Sequence, residues 1–449
     1  MAEAAAETRG FGNYVINQCD VNYLKRAIDS RATKILQKYL PNRPVFAVRQ
    51  GLLCWQYGQW DQRERKQGKS DPFKRELPPR FWRGRGCNMN RGRVLVTGGA
   101  GYIGSHTCKL LAAAGVEPIV YDNLVTGHRE AVRWGPFVHG DILDTELLSR
   151  TIEKFLPDTA IHFAACAYVG ESVEQPSKYY RNNVVGSISL LDACQRHGIK
   201  NIIFSSSCAT YGAPAEMPIT EAMVQRPINP YGTSKLMVEQ LLRDYSMAYD
   251  FRYVALRYFN AAGADPDGEL AERHDPETHL IPRALQAAAG QLDHLAIFGA
   301  DHDTPDGTCL RDYVHVSDLA RAHLQAVEYL RGGGATLAAN LGSGRPTSIR
   351  EVIAAVEQVT GRIVPVKIAP RRAGDPSTLF ADSTLAREKL GFRSPLSDID
   401  TIVRTAAPTF GHAVRQRHGP MMPLSAEEWA SQAWGTASLK AARPARCSA

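Results

Sequence analysis

A strand that ends in glycines and runs straight into a helix narrows the possible folds of this chain more than any other stretch. In VLVTGGAGYIGSH, Gly98, Gly101 and Gly104 follow the apolar run that opens at Val94, with Tyr102 and Ile103 between them. Glycine permits the tight turn, the close approach of backbone to a pyrophosphate and tight helix–strand packing. The N–H groups that open the following helix then face the phosphates. A second strand ends in VYDNL, which places Asp122 24 residues after Gly98. A carboxylate there accepts from the adenine ribose hydroxyls and repels a 2′-phosphate, so NAD is favoured over NADP.

The pattern continues beyond the turn. Candidate strands at 94–97, 117–121, 160–164, 201–205 and 252–257 alternate with helical patterns at 106–114, 172–196 and 231–248. Such alternation predicts βαβ units and an α/β fold, a Rossmann-like doubly wound parallel sheet. From about Asn260 the rhythm breaks into loops rich in Gly, Pro and Asp, which suits a smaller C-terminal substrate-binding lobe. The organisation expected is a NAD-binding domain over 89–260, a lobe over 261–410 and a C-terminal tail over 411–449.

Charge sets the first 88 residues apart. They hold 17 Lys and Arg against 8 Asp and Glu, a net +9, whereas the remainder carries −2. This basic extension reads either as a surface for nucleic acid or an anionic partner, or as a solvated tail. A third reading places the functional start at Met89, immediately before the strand–turn–helix signal. One amphipathic helix fits VNYLKRAIDSRATKILQKYL, and the stretch after it is punctuated by Pro and Gly. No apolar run approaches the ~20 residues a membrane span needs, so no membrane partner is expected. Nine scattered cysteines without a CxxC pair suit reduced thiols in a cytoplasm, and they show no metal-ligand spacing.

Chemistry is carried by two further stretches. NIIFSSSCATYG delivers Ser205, Ser206 and Ser207 at a strand's C-terminal end, where open α/β sheets bind ligands. NPYGTSK then sets Tyr231 and Lys235 four residues apart, straight after Pro230. Proline suits the first turn of a helix, which would put both side chains on one face. A lysine ammonium beside a phenol favours the phenolate and makes the tyrosine a general base. Asp141 in HGDI either meets the adenine or caps a helix. The small residues of IHFAA, around Ala164 and Ala165, either admit the cofactor or pack the sheet.

Serine, tyrosine and lysine in this order after a dinucleotide turn resemble the extended short-chain dehydrogenase/reductase superfamily. Within it, the chain is similar to the family of 4-epimerases that interconvert UDP-glucose and UDP-galactose. The likeness runs from about Arg91 to Pro408 through VTGGAGYIGSH, YDNL, GDI, YYRNNV, FSSSCATYG, NPYGTSKLMVEQ, LRYFNAAGA, LAIFG, DGTCLRDYVHV and RRAGD. It implies Tyr231 as the base, Lys235 as its electrostatic partner and ribose ligand, and Ser207 as a hydrogen-bond partner of the reacting hydroxyl. Asn123, Asp141, Ile142, Phe163, Ala164, Ala165, Asn183 and Tyr258 fall on the cofactor side. Phe259, Asn260, His279, Leu280, Ala296, Phe298, Arg311, Tyr313, Arg372 and Asp375 fall on the substrate side. There Ala296 and Phe298 would line the uracil, Arg311 and Arg372 would meet the diphosphate, and Asp375 would lie near the ribose.

The implied reaction is reversible, NAD-dependent epimerisation at C4 of a UDP-hexose through a 4-keto sugar, by a homodimer paired through helices at 172–196 and 231–248. A UDP-pentose or UDP-N-acetylhexosamine remains an alternative substrate, and a non-catalytic NAD-binding module an alternative class. Dehydratases of this scaffold place a carboxylate beside the threonine that follows the serine strand; here the residues are Cys208, Ala209 and Thr210. Ala167 stands where many relatives carry a lysine, His279 where an asparagine is common, and Leu379 at the position that tunes room for an N-acetyl group.

Overall fold

The computed structural model describes residues 92–372 and 375–414. The basic extension, its expected helix and nearly all of the C-terminal tail lie outside these residues.

Seven parallel strands form the central sheet: β1 (Arg93–Thr97), β2 (Glu117–Asp122), β3 (Phe137–His139), β4 (Thr159–His162), β5 (Asn201–Ser207), β6 (Arg252–Tyr258) and β10 (Leu337–Leu341). Their order is β10-β6-β5-β4-β1-β2-β3, so the winding reverses between β1 and β4. At such a reversal the loops leaving the two strands diverge and open a crevice at their C-terminal ends. Gly98 leaves β1 there, and Phe163 leaves β4 beside it.

The sheet is apolar on both faces, as a parallel sheet covered by helices must be. Successive residues of β1 face opposite sides. Val94 and Val96 pack with Leu111 of α1 (Tyr102–Ala113) and with Leu319 and Val327 of α8 (Val316–Arg331). Leu95 packs on the other side with Leu148 and Ile152 of α2 (Thr145–Phe155), Leu190 of α5 (Gly186–Arg196), and Val238 and Leu242 of α6 (Pro230–Tyr249).

Several expected boundaries change. The fourth strand stops at His162 rather than Ala164, because Phe163 and Ala164 turn to donate their N–H groups to Thr97 O at 2.9 and 3.1 Å. The single helix expected over 172–196 is instead α3 (Val169–Glu174), α4 (Pro176–Tyr179), a π-helical turn over Tyr180–Val185, and α5. Pro176 supplies no N–H to continue α3, so the chain restarts there. Residue 260 is not a clean domain boundary either: α8 and β10 come from the expected lobe yet complete the main sheet and its cover.

Beyond the main sheet, β7 (Asn260–Ala262) pairs with β9 (Leu310–His315), which also pairs with β11 (Pro346–Ser348) and β13 (Thr378–Leu379). A separate pair joins β8 (Leu295–Phe298) to β12 (Val366–Ala369). These pieces share a second core, in which Ile281 and Leu285 of α7 (Leu280–Ala288) meet Val352 and Val356 of α9 (Ile349–Thr360) and Ile402 of α10 (Ile399–Ala406). No described helix is long and apolar enough to cross a membrane.

Candidate active site

The glycine turn is built for close approach. Gly98 has φ +74°, and a Cβ there would lie 2.5 Å from Ala164 N. A Cβ on Gly104 would lie 2.2 Å from Gly98 O, so helix and turn pack backbone to backbone. Gly101 caps α1 without any side-chain hydrogen bond, and the first turn holds no acidic residue. That leaves a helix N-terminus suited to an anion. Asp122, buried at the end of β2, accepts from Ala100 N at 2.9 Å and Leu124 N at 2.8 Å, fixing both sides of the cradle. Burial raises its carboxyl above the ordinary value, with those two N–H groups acting against the rise.

Around this cradle, Asn123 Nδ2 donates to Asp141 Oδ2 at 2.9 Å. Helix capping, the alternative role for Asp141, belongs to Asp144, whose side chain accepts from Leu147 N. Ile142 is buried against Gly186. Asn183, in the π-helical turn, accepts from Cys166 N at 2.8 Å and donates to Cys166 O and to Ser234 Oγ, each at 3.0 Å. Its amide therefore clamps the loop containing Ala164 and Ala165 to the helix that carries Tyr231. A glycine cradle, an uncapped helix end and a buried acid at the end of β2 together fit a dinucleotide.

On α6 the start is set by sequence: Pro230 occupies the first turn, and the Asn229 side chain caps it by accepting from Gly232 N at 2.8 Å. Tyr231 and Lys235 then share one face. The Lys235 ammonium is 3% exposed, donates to Ser205 O at 2.8 Å, and lies 5.8 Å from the Tyr231 ring centre. Ser207, at the end of β5, accepts from Ala209 N at 3.1 Å and sits close enough to the Tyr231 phenol to affect its proton affinity. Tyr258 bonds Ser205 Oγ from the neighbouring strand.

Electrostatically, the expectation from the Tyr–Lys spacing is corrected. Burial pushes the Tyr231 phenol up to about 12, with only the Ser207 hydroxyl pulling it down. Burial also pushes Lys235 down to about 7. Desolvation penalises a buried lysine's charge as it penalises a phenolate, so the lysine alone does not depress this phenol.

Of the residues expected on the substrate side, Asn260, Arg311 and Tyr313 lie on the paired strands β7 and β9, while Ala296 and Phe298 lie on β8. Asn260 pairs with Tyr313 across β7 and β9, and its side chain donates to Asp312 O at 2.9 Å. Phe259 and Tyr313 are buried. Arg311 forms an ion pair with Asp375 and lies near enough to Cys208 to act on its thiol, which places it near the end of β5. Arg372 stacks over Phe298 with its guanidinium carbon 3.9 Å from the ring centre, and Ala296 shares that strand. His279 precedes Leu280 at the N-terminus of α7. Two supporting groups were not singled out from sequence. His162 links Thr97 Oγ1 (2.7 Å) to Ser187 Oγ (2.9 Å) beneath the site, and Glu239, two turns along α6 from Tyr231, joins Arg257 and Ser206. The spacing 231, 235, 239 was the available signal for Glu239.

Taken together, the reversal crevice, the dinucleotide cradle and the Ser–Tyr–Lys group define a nucleotide-dependent enzyme of the short-chain dehydrogenase/reductase type. The NAD dependent epimerase/dehydratase family matches residues 94–342. A UDP-glucose 4-epimerase of Rhizobium leguminosarum bv. trifolii is 52% identical over 313 residues, 70% of this chain and 95% of that one. A crystal structure of UDP-glucose 4-epimerase from Brucella ovis in complex with NAD is 64% identical, with TM-score 0.71 over 72% of this chain and all of that one. The Bifidobacterium longum enzyme, solved with NAD+ and UDP, is 39% identical with TM-score 0.67, covering 70% of this chain and 97% of that one. This chain belongs to the NAD-dependent epimerase/dehydratase family, among its UDP-glucose 4-epimerases. It is an isomerase that uses NAD to invert C4 of a UDP-hexose.

Proposed function

We propose that Tyr231 is the proton acceptor of this epimerisation, that Ser207 relays or orients the C4 hydroxyl, and that Lys235 holds the site's charge balance. The observation that carries this is the convergence of Ser207, Tyr231 and Lys235 at the C-terminal end of β5, the same end of the sheet at which the glycine turn leaves β1. NAD in that cradle supplies the acceptor and donor for the C4 hydride, together with a positive charge near the phenol. Tyr231 takes the hydroxyl proton directly or through Ser207 and returns it once the sugar has turned over. With its phenol at about 12 in the protein alone, Tyr231 ionises readily only when a further positive charge is close. Asp122 and Asn123 are placed to receive the adenine ribose, and the N-terminus of α1 to receive the pyrophosphate.

On the substrate side, Arg311 and Arg372 are placed to hold a diphosphate, for which planar guanidinium forks are suited. Phe298 and Ala296 offer a flat apolar wall for the uracil. Firm hold on UDP with few groups around the hexose lets the sugar rotate between the two half-reactions. The test is incubation of the purified protein with UDP-galactose, without added cofactor, and chromatographic assay of UDP-glucose. Conversion, and its loss in Tyr231→Phe, is the expected result. Conversion retained by Tyr231→Phe would remove Tyr231 as the base. Conversion of UDP-N-acetylgalactosamine or a UDP-pentose in preference would move the substrate assignment.

We also infer that the active form is a homodimer in the cytoplasm. Val169 and Val173 on α3, Val185 at the end of the π-helical turn and Met237 on α6 are exposed at 46%, 63%, 48% and 43% on elements that pack together. An exposed apolar patch of that kind suits a second copy. Light scattering should give twice the chain mass, and a monomer would overturn it. The five described cysteines are free thiols, which suits a reducing compartment.

A further inference from the structure

The segment between β7 and α7 reads Glu272-x-His274-x-x-Glu277-x-His279. One ligand atom of each residue lies within 4.8 Å of the others. His274 Nδ1 is 3.2 Å from Glu272 Oε1 and 3.7 Å from Glu277 Oε2. His279 Nδ1 is 2.8 Å from Glu272 Oε1 and 3.1 Å from Glu277 Oε1. A tetrahedral cation with bonds of about 2.0–2.1 Å sets its ligands about 3.3–3.4 Å apart, and the His–Glu separations scatter around that value, with Glu277 turning Oε2 to His274 and Oε1 to His279.

A second observation points the same way. Glu272 is only 8% exposed, and its Oε1 and the Nδ1 of His274 face each other at ion-pair distance without a hydrogen bond of good geometry. Buried polar atoms are nearly always well bonded, so two that face each other with poor hydrogen-bond geometry point to a shared partner. The neighbouring acidic group makes the contrast clear. Asp265, Asp267 and Glu269 also converge, but Lys109 Nζ sits among them at 2.8, 2.6 and 2.7 Å. There the chain supplies its own cation. Around Glu272 the carboxylates pair instead with two imidazoles, at 2.8 to 3.7 Å, and these groups are themselves metal ligands.

We propose that Glu272, His274, Glu277 and His279 form a site for a divalent transition-metal cation, with zinc the best fit. Two imidazole nitrogens and two carboxylates match zinc's preference, whereas calcium and magnesium take oxygen alone. The cation would fasten the segment to two parts of the molecule. The His274 ring lies edge-on to Tyr102 in the glycine turn (6.3 Å) and to Tyr168 (6.0 Å). His279 ends the segment at the N-terminus of α7, immediately before Leu280. Its role is structural: it steadies the loop that joins cofactor cradle and substrate side, and it takes no part in proton or hydride transfer.

The test uses the full chain, free of any affinity tag and stripped with chelator. Co2+ is added first, because a tetrahedral site gives an intense visible band that an octahedral or adventitious one lacks. Zn2+ is then titrated by calorimetry in native protein and in the variants Glu272→Gln and His274→Gln. Expected are the intense band, one zinc per chain and a rise in melting temperature on loading. Removing a group that merely orients a ligand already costs about 10–100-fold in metal affinity, so each variant should lose at least about 100-fold. A native protein that gives no cobalt band and retains no zinc would overturn the proposal and leave the cluster as ion pairs alone. Zinc bound equally by both variants would overturn it too, by placing the metal elsewhere. The cobalt spectrum of the native chain is decisive even where a variant fails to fold.

Discussion

Replacing Glu239 by glutamine tests whether a buried charge holds the helix that carries Tyr231 in register. Glu239 and Arg257 have side chains 2% and 5% exposed. Arg257 Nε donates to Glu239 Oε1 at 2.9 Å and Nη2 to Oε2 at 2.6 Å, while Ser206 Oγ donates to Oε1 at 2.5 Å. Arg257 Nη1 also donates to Tyr211 OH at 2.7 Å, and that hydroxyl donates to Asn340 Oδ1 at 2.8 Å. Glutamine keeps the shape but leaves the guanidinium buried and unpaired. Breaking one side of a buried pair costs about 3–5 kcal/mol, a large share of the ~5–15 kcal/mol that holds a typical domain together. Burial alone would raise the Glu239 carboxyl, but the Arg257 hydrogen bonds and charge outweigh it and leave it below the ordinary value. A depressed carboxyl contributes stability that is present above its unfolded value of about 4.3 and is lost as pH falls through its folded value. The gap between wild type and Glu239→Gln should therefore be full at neutral pH and should shrink below about pH 4. Because Tyr231, Lys235 and Glu239 follow one another at four-residue intervals, the variant should lower kcat more than it raises KM. Urea denaturation at neutral and acid pH and steady-state epimerase assays would measure both effects. A loss under about 1 kcal/mol, the level of a surface ion pair, would refute the reasoning. So would a gap that persists unchanged in acid.

Gly104→Ala places a methyl 2.2 Å from Gly98 O, and backbone cannot give way as a side chain can. It should cost about 1–3 kcal/mol and release NAD, read as nucleotide in the flow-through of a desalting column. Asn183→Ala removes the clamp between Cys166 and Ser234 and leaves two backbone groups of Cys166 without partners; NAD retention should fall and the melting temperature drop by several degrees. Lys235→Met should abolish turnover while altering the pH dependence of stability. Lys235 is held at about 7 when folded and returns to about 10.4 when unfolded, so between these values the unfolded chain binds more protons and native stability rises with pH. The variant should flatten that rise in a series of melts from pH 7 to 10, and a wild-type curve that falls across this window would contradict the assignment.

The parts of the fold that were legible in the sequence rest on local signals. The turn at Gly98, the acid at Asp122 and the proline start of α6 each follow from the backbone needs of a few neighbouring residues, and all three stand where expected. What was missed depends on long-range closure. Leu337–Leu341 joins the main sheet because Leu337 through Leu341 pair with Val254 through Tyr258, a match across some eighty residues that no periodicity announces. The helix expected over 172–196 failed for a local reason that was available, since Pro176 interrupts it, but the π-helical turn after it was not: it lets Asn183 reach both Cys166 and Ser234.

The Tyr231–Lys235 pair shows where residue spacing stops being informative. Spacing fixed which face the two side chains share, and the structure keeps them there. It could not fix the sign of their effect on each other, because that depends on how much water each loses. Lys235 is 3% exposed, and its ammonium is held by the carbonyl of Ser205 at 2.8 Å rather than by a carboxylate. A carbonyl offsets only part of the desolvation cost, so the lysine, at about 7, is partly charged near neutrality while the phenol, at about 12, keeps its proton. The site is therefore poised rather than switched on: the partly charged lysine does not by itself ionise the phenol, and a further positive charge placed near the phenol favours the phenolate. An enzyme that must take a proton and then give it back gains from this arrangement, since a base permanently ionised would be a poor acid on the return step.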